Sequence, residues 1–456
     1  MVRIRDTLLR DTVELTTRDP GKVSFYVCGP TVYDTPHLGN ARTAVVFDTI
    51  RRYLEWVGFD VTYVSNVTDV EDKIIARAAA EGRTEPEVAT EFEAVYFDHM
   101  ARLGVRTADQ SPHATAYIDR MVDLIGELVA SGHAYEVPDQ GVYFAVETFE
   151  GYGALPHRTL EELRESAGAR VDVDEAKRSP MDFALWKAAK PGEPAWDSPW
   201  GRGRPGWHIE CSAMSLDLLG EGFDLHGGGE DLMFPHHENE RAQAGAAGHT
   251  FARHWIHSGM VTIGGEKMSK SLGNFTTVDE ALAEFDWRAL RLAMLQTHYR
   301  RKADLGRAEL TAAQKAVERL EALFRRAESA GVPTDATADA ATLAQFRAAM
   351  DDDFDTAHAL AVIFEAAREA NRAVDDDDTD RAGTLTQAVR ELLDVLGLAD
   401  LADDRAGGDA VVDALVRERD AARADRNFAR ADEIRDELAA LGIKLEDTPG
   451  GTIWHR

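Results

Sequence analysis

A strand–helix–strand pattern near the N-terminus constrains the fold of this 456-residue chain more than any other feature. Residues 23–28 form an apolar run, and apolar residues then recur at roughly helical spacing from Leu38 to Val57. Gly58 ends the predicted helix, and residues 61–64 are the next predicted strand. Two strands joined by a helix are typical of a parallel α/β sheet, so the chain is predicted to contain one.

Polar residues stand at the ends of these predicted strands. Cys28 ends the first apolar run, His37 precedes the helix, and Thr68 follows the second strand. Because ligands in parallel α/β sheets bind beyond the carboxyl ends of the strands, these residues are predicted to border a ligand site.

The remaining sequence predicts an interrupted sheet and a helical end. Residues 120–200 are rich in Pro, Gly and Trp and are typical of an inserted module, and strand patterns resume at 223–226 and 254–257. From about residue 285 the pattern is nearly all helical. The predicted fold is therefore α/β, with a Rossmann-like parallel-sheet catalytic domain that contains an inserted module and is followed by a C-terminal α-helical bundle.

The two cysteines, Cys28 and Cys211, have possible partners in residues 234–240, which include His236 and Glu240. Thiolate, imidazole and carboxylate are the ligands that zinc prefers, and four of them close a tetrahedral site. His236 and Glu240 are four residues apart and share one face of a helix. Two free thiols are also common as buried small hydrophobes, and these residues alone leave both interpretations open.

A first candidate phosphate site lies at residues 36–40, with the sequence Pro-His-Leu-Gly-Asn. His37 stands at the start of a predicted helix, and Gly39 lets a ligand approach the backbone closely. Unpaired amide groups and the helix dipole favour a phosphate there. The alternative is a capping loop with an incidental histidine.

A second candidate phosphate site lies at residues 264–274, where Lys267 and Lys270 flank a serine in a glycine-bounded segment. Such a loop can close over a polyphosphate and stabilise the charge of a departing pyrophosphate. The alternative is a solvated basic turn.

Together these two segments resemble the paired signatures of class I aminoacyl-tRNA synthetases. Residues 267–271 match the second signature in full, whereas Asn40 replaces the usual histidine at the end of the first. Asparagine can donate a hydrogen bond but cannot carry a positive charge.

Three longer blocks, residues 28–34, 206–214 and 226–240, resemble the cysteinyl-tRNA synthetases, and the resemblance runs nearly end to end. It implies activation of L-cysteine with ATP and Mg²⁺ to cysteinyl-adenylate and transfer to the 3′ end of tRNA(Cys). It also implies one zinc ion per chain, which selects the substrate thiolate. The expected protein is a monomer.

The resemblance also implies roles for individual residues. The zinc ligands are Cys28, Cys211, His236 and Glu240; His237 points about 100° away from its neighbour on a helix and is not counted. The implied catalytic residues are His37, Asn40, Lys267 and Lys270. The implied cysteine contacts are Gly29, Thr31, Thr68 and Trp207, and the implied ATP contacts are His37, Gly39, His226, Gly229, Asp231 and Lys270.

Arginines near the C-terminus suggest an RNA-binding face. Arg419, Arg423, Arg426 and Arg430 are spaced i, i+4, i+7 and i+11, which predicts one stripe on a helix. The alternative is salt bridging with neighbouring carboxylates. Residues 442–454 resemble the C-terminal block of the same family, which implies anticodon contact, with Trp454 able to stack on a base.

The implied segments are residues 1–120 and 206–265 for the two halves of the catalytic domain, 121–205 for the inserted connective module, 266–310 for the phosphate loop and tRNA-stem contacts, 311–400 for the helical bundle, and 401–456 for anticodon binding. Three other functions remain to be weighed. A ligase of cysteine and an amino sugar does not need the C-terminal block, a plain nucleotidyltransferase does not need the zinc ligands, and a zinc-stabilised RNA binder does not need the loop at 264–274.

The formal net charge of −30 argues against a nucleic-acid partner at face value, because phosphates attract cations. Our hypothesis is adaptation to high salt, where screening weakens the self-repulsion of an acidic surface. No uninterrupted apolar stretch approaches the roughly 18 residues that span a bilayer, and residues 1–6 lack an apolar signal core. Two cysteines cannot form a disulfide framework, so we expect a cytoplasmic protein with no membrane partner.

Overall fold

The computed structural model describes residues 1–167, 177–268, 276–399, 401, 410–424, 427–440, 443–448 and 451–455. Lys270 and Arg426 lie outside the described residues, and Lys267 and Trp454 are described by their backbone alone. The chain divides into two compact units, residues 1–313 with 347–359 and residues 314–346 with 360–456. In the described ranges, no helix is both long enough and apolar enough to cross a membrane.

The first unit contains most of the strands. In chain order they are β1 (Arg3–Asp6), β2 (Asp11–Glu14), β3 (Lys22–Val27), β4 (Asp60–Ser65), β5 (Ala134–Val137), β6 (Gly141–Phe144), β7 (Phe183–Ala188), β8 (Gly203–Pro205), β9 (Leu225–Gly229), β10 (His254–Ser258), β11 (Val261–Ile263), β12 (Glu266–Lys267) and β13 (Ala303–Asp304). Its helices are α1 (Leu38–Trp56), α2 (Asp72–Glu81), α3 (Glu85–Arg102), α4 (Ile118–Ala130), α5 (Leu160–Ala167), α6 (Trp207–Leu219), α7 (Glu238–Ala246), α8 (Val278–Glu284) and α9 (Trp287–Leu295).

The central sheet of the first unit is parallel, with the strand order β10-β9-β3-β4. After β3 the chain crosses through α1 to β4 on one side, whereas β9 pairs on the other side of β3. The gap between the carboxyl ends of β3 and β9 is therefore a topological switch point, where α/β proteins bind ligands. The predicted parallel α/β sheet is confirmed.

Helix α1 covers this sheet with its apolar face. Phe47 of α1 meets Phe25 of β3 edge to face, with ring centroids 5.8 Å apart, and both rings are fully buried. Burying a phenylalanine stabilises a fold by about 1.5–3 kcal/mol. The helix ends at Trp56, and Gly58 then adopts a φ of 103°, which only glycine adopts without strain.

The first unit contains smaller sheets besides the central one. Residues between α4 and α6 include a four-stranded antiparallel sheet in the order β5-β6-β7-β8, which lies within the predicted inserted module. Strand β11 pairs with both β12 and β13. The predicted domain boundaries remain predictions.

The second unit is mainly helical. The divisions between the units fall within three helices, α10 (Arg307–Ser329), α11 (Ala340–Asp351) and α12 (Thr356–Asp375). The remaining elements of the second unit are α13 (Thr379–Val395), α14 (Ala410–Ala424), α15 (Phe428–Ala440), β14 (Lys444–Thr448) and β15 (Gly451–His455). The strands β14 and β15 form an antiparallel hairpin.

The prediction of a single arginine stripe is wrong. Arg419 and Arg423 lie on α14, whereas Arg430 lies on α15. The helices are separate because Asn427 donates its N–H back to the Ala422 carbonyl at 2.8 Å and its side chain accepts the Arg430 N–H at 3.3 Å. Such a side-chain acceptor starts a new helix.

Two of the predicted arginines, Arg419 and Arg430, have local partners. The buried Arg419 donates to Thr452 Oγ1 at 2.7 Å. Arg430 forms ion pairs with Glu418 and Glu433 at 2.9 and 3.1 Å. For Arg430, the structure therefore shows salt bridging with neighbouring carboxylates, which was the alternative to an RNA-binding stripe.

Candidate active site and metal centre

The four predicted metal ligands meet at the switch point of the central sheet. Cys28 directly follows β3, Cys211 lies in α6, and Glu240 lies in the first turn of α7. The Cys28 Sγ lies 3.6 Å from the Cys211 Sγ and 3.5 Å from Glu240 Oε1, and His236 Nε2 lies 3.1 Å from Glu240 Oε1. One donor atom from each of the four residues lies within 4.8 Å of the others, and all four residues are buried.

The electrostatics of this cluster suit a cation. Burial raises the pKa of both thiols, Cys28 and Cys211, and it lowers the pKa of His236 well below its usual value. The raised thiol pKa values come from desolvation of a thiolate, and a divalent ion reverses that penalty because it stabilises the deprotonated ligand directly. Two thiols, one imidazole and one carboxylate form a donor set that zinc prefers, so the residues fit a zinc ion.

A second set of donors overlaps the first. Cys28, His226, His237 and Glu240 also place one donor atom each within 4.8 Å of one another. His237, set aside in the sequence analysis, is buried, and its Nδ1 lies 2.8 Å from His257 Nε2. The two sets share one thiol and one carboxylate, and variants of the unshared residues can distinguish them.

Aromatic rings and imidazoles orient the predicted ligands. His208 Nδ1 lies 2.9 Å from His236 Nδ1, and the Trp207 ring stacks on the His236 ring with centroids 4.1 Å apart. Partners of this kind fix the orientation of ligand side chains.

The position of His226 differs from the sequence expectation. Its Nε2 lies 2.8 Å from Glu240 Oε2, the residue is fully buried, and it is absent from the residues that line the neighbouring cavity. The buried strand β9 places this side chain beside the candidate metal ligands, where it can orient Glu240, and its contact with a nucleotide stays a prediction.

A cavity of about 950 Å³ lies beside the cluster. Its wall includes Cys28, so the candidate metal centre borders the cavity through this thiol. The predicted substrate and nucleotide residues on the wall are Gly29, Thr31, His37, Gly39, Asn40, Trp207, Gly229 and Asp231. The cavity is at the large end of the range for small-molecule sites, about 300–1,000 Å³.

The side chain of Thr68 does not lie on that wall, although the sequence predicted a contact with the amino acid. Thr68 is buried and donates its hydroxyl to Glu210 Oε2 at 2.9 Å. Its backbone N–H donates to the Pro30 carbonyl at 3.0 Å, and its carbonyl accepts from the Val32 N–H at 3.2 Å. Thr68 therefore fixes the loop that carries Thr31.

His37 is the N-cap of α1. Its Nδ1 accepts from the backbone N–H groups of Gly39 and Asn40 at 3.0 and 3.3 Å, so the hydrogen of the neutral ring is on Nε2. Asn40 Oδ1 in turn accepts from the His37 N–H at 3.1 Å, which completes a capping box. A Cβ at Gly39 would lie 2.8 Å from the imidazole ring, so glycine is needed there.

Asn66 is a site residue that the sequence analysis missed. Its Oδ1 accepts from the Gly29 N–H at 2.9 Å and lies 3.7 Å from Cys211 Sγ. A Cβ at Gly29 would lie 1.7 Å from the Asn66 carbonyl oxygen, so the two segments are in direct contact. The signal was present, because Asn66 directly follows β4 at the sheet edge where ligands bind.

The fold is that of the class I aminoacyl-tRNA synthetases. Methionyl-tRNA synthetase of Mycobacterium tuberculosis in complex with methionyl-adenylate has a TM-score of 0.65 at 17% identity, covering 85% of this chain and 94% of that chain. The agnB2 LeuRS of Agrobacterium radiobacter K84, in a ternary complex with tRNA and LeuAMS, has a TM-score of 0.64 at 11% identity, covering 86% and 85%.

Sequence comparison narrows the class to one family. The tRNA synthetases class I (C) catalytic domain matches residues 14–315, the DALR domain matches 345–400, and the cysteinyl-tRNA ligase anticodon binding domain matches 405–454. The cysteine–tRNA ligases of Halorhodospira halophila and Alkalilimnicola ehrlichii are 50% and 51% identical, with all of both chains covered. The chain belongs to the cysteine–tRNA ligase family of enzymes, and this membership sets aside the three other functions weighed above.

Proposed function

We propose that this enzyme activates L-cysteine with ATP and Mg²⁺ to cysteinyl-adenylate and transfers the cysteinyl group to the 3′ end of tRNA(Cys), with zinc selecting the substrate thiolate. The observation that carries the proposal is the buried cluster of Cys28, Cys211, His236 and Glu240 beside the cavity. Bound zinc would supply a soft Lewis acid that prefers a cysteine thiolate to the hard hydroxyl of serine.

The need for such a device follows from the similarity of the two amino acids. Cysteine and serine differ by one atom in the side chain, and a pocket that discriminates by shape gains only about 1–3 kcal/mol from so small a group. A direct bond between bound zinc and the substrate sulfur would provide a larger difference in binding free energy between cysteine and serine. Trp207, which lines the cavity and stacks on His236, supports a fixed wall for the substrate side chain.

In the activation step, the cysteine carboxylate attacks the α-phosphate of ATP and pyrophosphate leaves. His37 holds a hydrogen on Nε2 and donates it toward phosphate oxygens, and the N-terminus of α1 adds a favourable dipole. Lys267 and Lys270 stabilise the charge of the departing pyrophosphate. Asp231, on the cavity wall, accepts from the ribose hydroxyls, and Gly229 gives the nucleotide close approach to the backbone.

In the transfer step, the terminal ribose hydroxyl of the tRNA attacks the acyl-adenylate. The match of residues 405–454 to an anticodon-binding domain supports a C-terminal contact with tRNA. Arg419, Arg423, Arg426, Arg430 and Trp454 remain candidates for that contact. Buried free thiols support a reducing compartment, the cytoplasm, and a monomer is the expected state.

The experiment is ATP–pyrophosphate exchange with cysteine as substrate and serine as the control, followed by charging of purified tRNA(Cys). Cysteine-dependent exchange and charging are expected, with little exchange on serine. Equal exchange with both amino acids contradicts thiolate selection, and exchange without charging contradicts the transfer step.

Zinc content tests the ligand set. Cys211→Ser is expected to lower both the zinc stoichiometry and the affinity for cysteine, because it removes one of the two thiolates. His237→Asn is the matched control, since His237 belongs only to the second donor set. Full zinc content in Cys211→Ser together with loss of zinc in His237→Asn would assign the ion to the second set.

A further inference from the structure

Arg42 is a buried cation that the proposed steps do not use. It lies in α1, five residues after His37, and is fully buried. Its guanidinium donates to the carbonyls of Gly259 and Arg301 at 2.6 Å each. Further carbonyls accept from it at 3.1–3.4 Å, namely those of Met260, His298 and Tyr299. Within the described part of the chain, no carboxylate forms an ion pair with Arg42.

The carbonyls bound by Arg42 belong to two segments that precede β11 and β13, the paired strands beside the second phosphate motif. Gly259 and Met260 join β10 to β11, and residues 298–301 lie between α9 and β13. Strand β11 pairs with β13 and with β12, which ends at Lys267. Arg42 therefore holds the base of the hairpin whose second strand carries Lys267.

The turn of the same hairpin is held by a carboxylate. Asp304 Oδ1 accepts from the Gly264 N–H at 2.9 Å, and Asp304 Oδ2 accepts from the Gly265 N–H at 2.6 Å. Residues 298–304 therefore contact both ends of the hairpin. Their carbonyls accept from Arg42 at the base, and Asp304 accepts from the N–H groups of the turn.

The far end of the second motif is also tied to the start of α1. The Leu38 N–H donates to the Thr276 carbonyl at 3.2 Å, and the Val278 N–H donates to the Pro36 carbonyl at 3.0 Å. Residues 36–42, at the start of α1, therefore hold the chain on both sides of the second motif. Arg42 holds the chain before residue 268, and the backbone bonds of Pro36 and Leu38 hold it after residue 275.

Only arginine supplies this pattern of donors. Its Nη1 and Nη2 atoms carry four N–H donors in a fixed plane and make all of these bonds, while the buried Nε has no partner among the described residues. Lysine carries only three donors, all on a single nitrogen. Burial lowers the pKa of Arg42 to about 10, which leaves the side chain charged at neutral pH. Five carbonyl oxygens around one charge compensate its desolvation through charge-assisted hydrogen bonds.

We propose that Arg42 is a positioning residue for adenylate formation, which fixes the backbone that carries Lys267 relative to the helix that begins at His37. This inference rests on the proposed function for its activity readout. Small displacements of groups that stabilise a transition state lower the rate more than they lower ground-state binding of a substrate held elsewhere.

The test compares Arg42→Lys with Arg291→Lys, a matched control because Arg291 is also a fully buried helical arginine of the first unit. We expect Arg42→Lys to lower the kcat of cysteine-dependent exchange by about tenfold or more, with zinc content and the KM for cysteine unchanged. Amide hydrogen exchange of residues 261–263 should become faster in this variant alone.

Asp304→Ala provides a second variant, because Asp304 is partly exposed and holds the same hairpin. It is expected to lower kcat in the same selective manner. Unchanged amide protection of residues 261–263 in a folded Arg42→Lys protein overturns the inference, as does an equal loss of kcat in Arg291→Lys. If the unmodified enzyme shows no cysteine-dependent exchange, the proposed function fails, while amide protection still decides the role of Arg42.

Discussion

The position of one hydrogen determines what His37 can donate to the phosphate of the proposed reaction. Two backbone N–H groups donate to Nδ1, which leaves Nε2 as the donor of the neutral ring. The capping box formed with Asn40 holds this arrangement at the start of α1. Asparagine at this position therefore contributes an acceptor, a role that needs no positive charge.

Replacing Asn40 separates its structural and chemical contributions. Asn40→Ala removes the acceptor for the His37 N–H and should lower the free energy of unfolding by about 1 kcal/mol, as loss of a helix cap does. Asn40→Asp retains the acceptor and should keep most of that stability, yet it should slow pyrophosphate exchange because its charge repels phosphate. Urea unfolding and exchange kinetics measure the two effects, and equal stability of the two variants would contradict the capping role.

His257 makes stability depend on pH. Burial lowers its pKa to about 3, and its ring lies between Thr7 Oγ1 and His237 Nδ1, each at 2.8 Å. Below pH about 6.5 the unfolded chain binds a proton that the folded chain excludes, so the free energy of unfolding falls toward pH 3, by up to about 1.4 kcal/mol per pH unit.

Unfolding of the unmodified protein and of His257→Gln at pH 7, 6 and 5 measures this contribution. Glutamine does not titrate, so the variant should lose stability less steeply as the pH falls. Parallel stability curves for the two proteins would show that His257 does not contribute to acid sensitivity.

At the scale of elements, periodicity predicted the parts of the fold that are buried. The apolar run at 23–28 and the helix from Leu38 are regular because both pack against the same core, and the structure contains them as β3 and α1. The break between α14 and α15 was missed because i, i+4 spacing continues across it. A helix end depends on local hydrogen bonds, such as those of Asn427, that spacing does not report.

The sequence predicted which segments of the chain meet at the candidate site. The sequence indicated that Cys28, Cys211 and residues 236–240 contribute donors, and the switch point brings them together. It did not predict the partners of His226 and Thr68, because side chains at one sheet edge can face the cavity or the interior. That choice is set by packing with Glu240 and Glu210.

The C-terminal helical hairpin has a small core of its own. The core joins α14, α15 and the residue before β14, and consists of Val412, Val416, Ile434, Leu438 and Ile443. Deleting residues 409–456 should therefore spare cysteine-dependent pyrophosphate exchange while it lowers charging of tRNA(Cys), because the deletion removes the segment proposed to bind the anticodon. Parallel exchange and charging assays measure the two steps, and normal charging by the truncated protein would exclude the anticodon role.

At the scale of the whole molecule, net charge governs the response to salt. The chain carries 81 acidic and 51 basic residues, so the acidic side chains outnumber the basic side chains with which they can pair. The Debye length shortens from about 10 Å at 0.1 M salt to about 3 Å at 1 M, which weakens repulsion between acidic groups.

The melting temperature should therefore rise when potassium chloride increases from about 0.1 M to about 1 M, the range over which screening becomes short. Sucrose is a suitable control, because it is excluded from protein surfaces but does not screen charge. A melting temperature that is flat or falls with salt, or full activity and folding in dilute buffer, would contradict adaptation to high salt.

The distance along the chain between Cys28 and Glu240 has a consequence for biosynthesis. During translation the first thiol emerges early, but its carboxylate partner leaves the ribosome only after more than two hundred further residues have been added. Strand β9 must also join β3 before the donors converge. The proposed zinc ion can therefore bind all four ligands only after the chain has been synthesised through Glu240 and β9 has paired with β3, so a fragment released from the ribosome earlier would lack part of the ligand set.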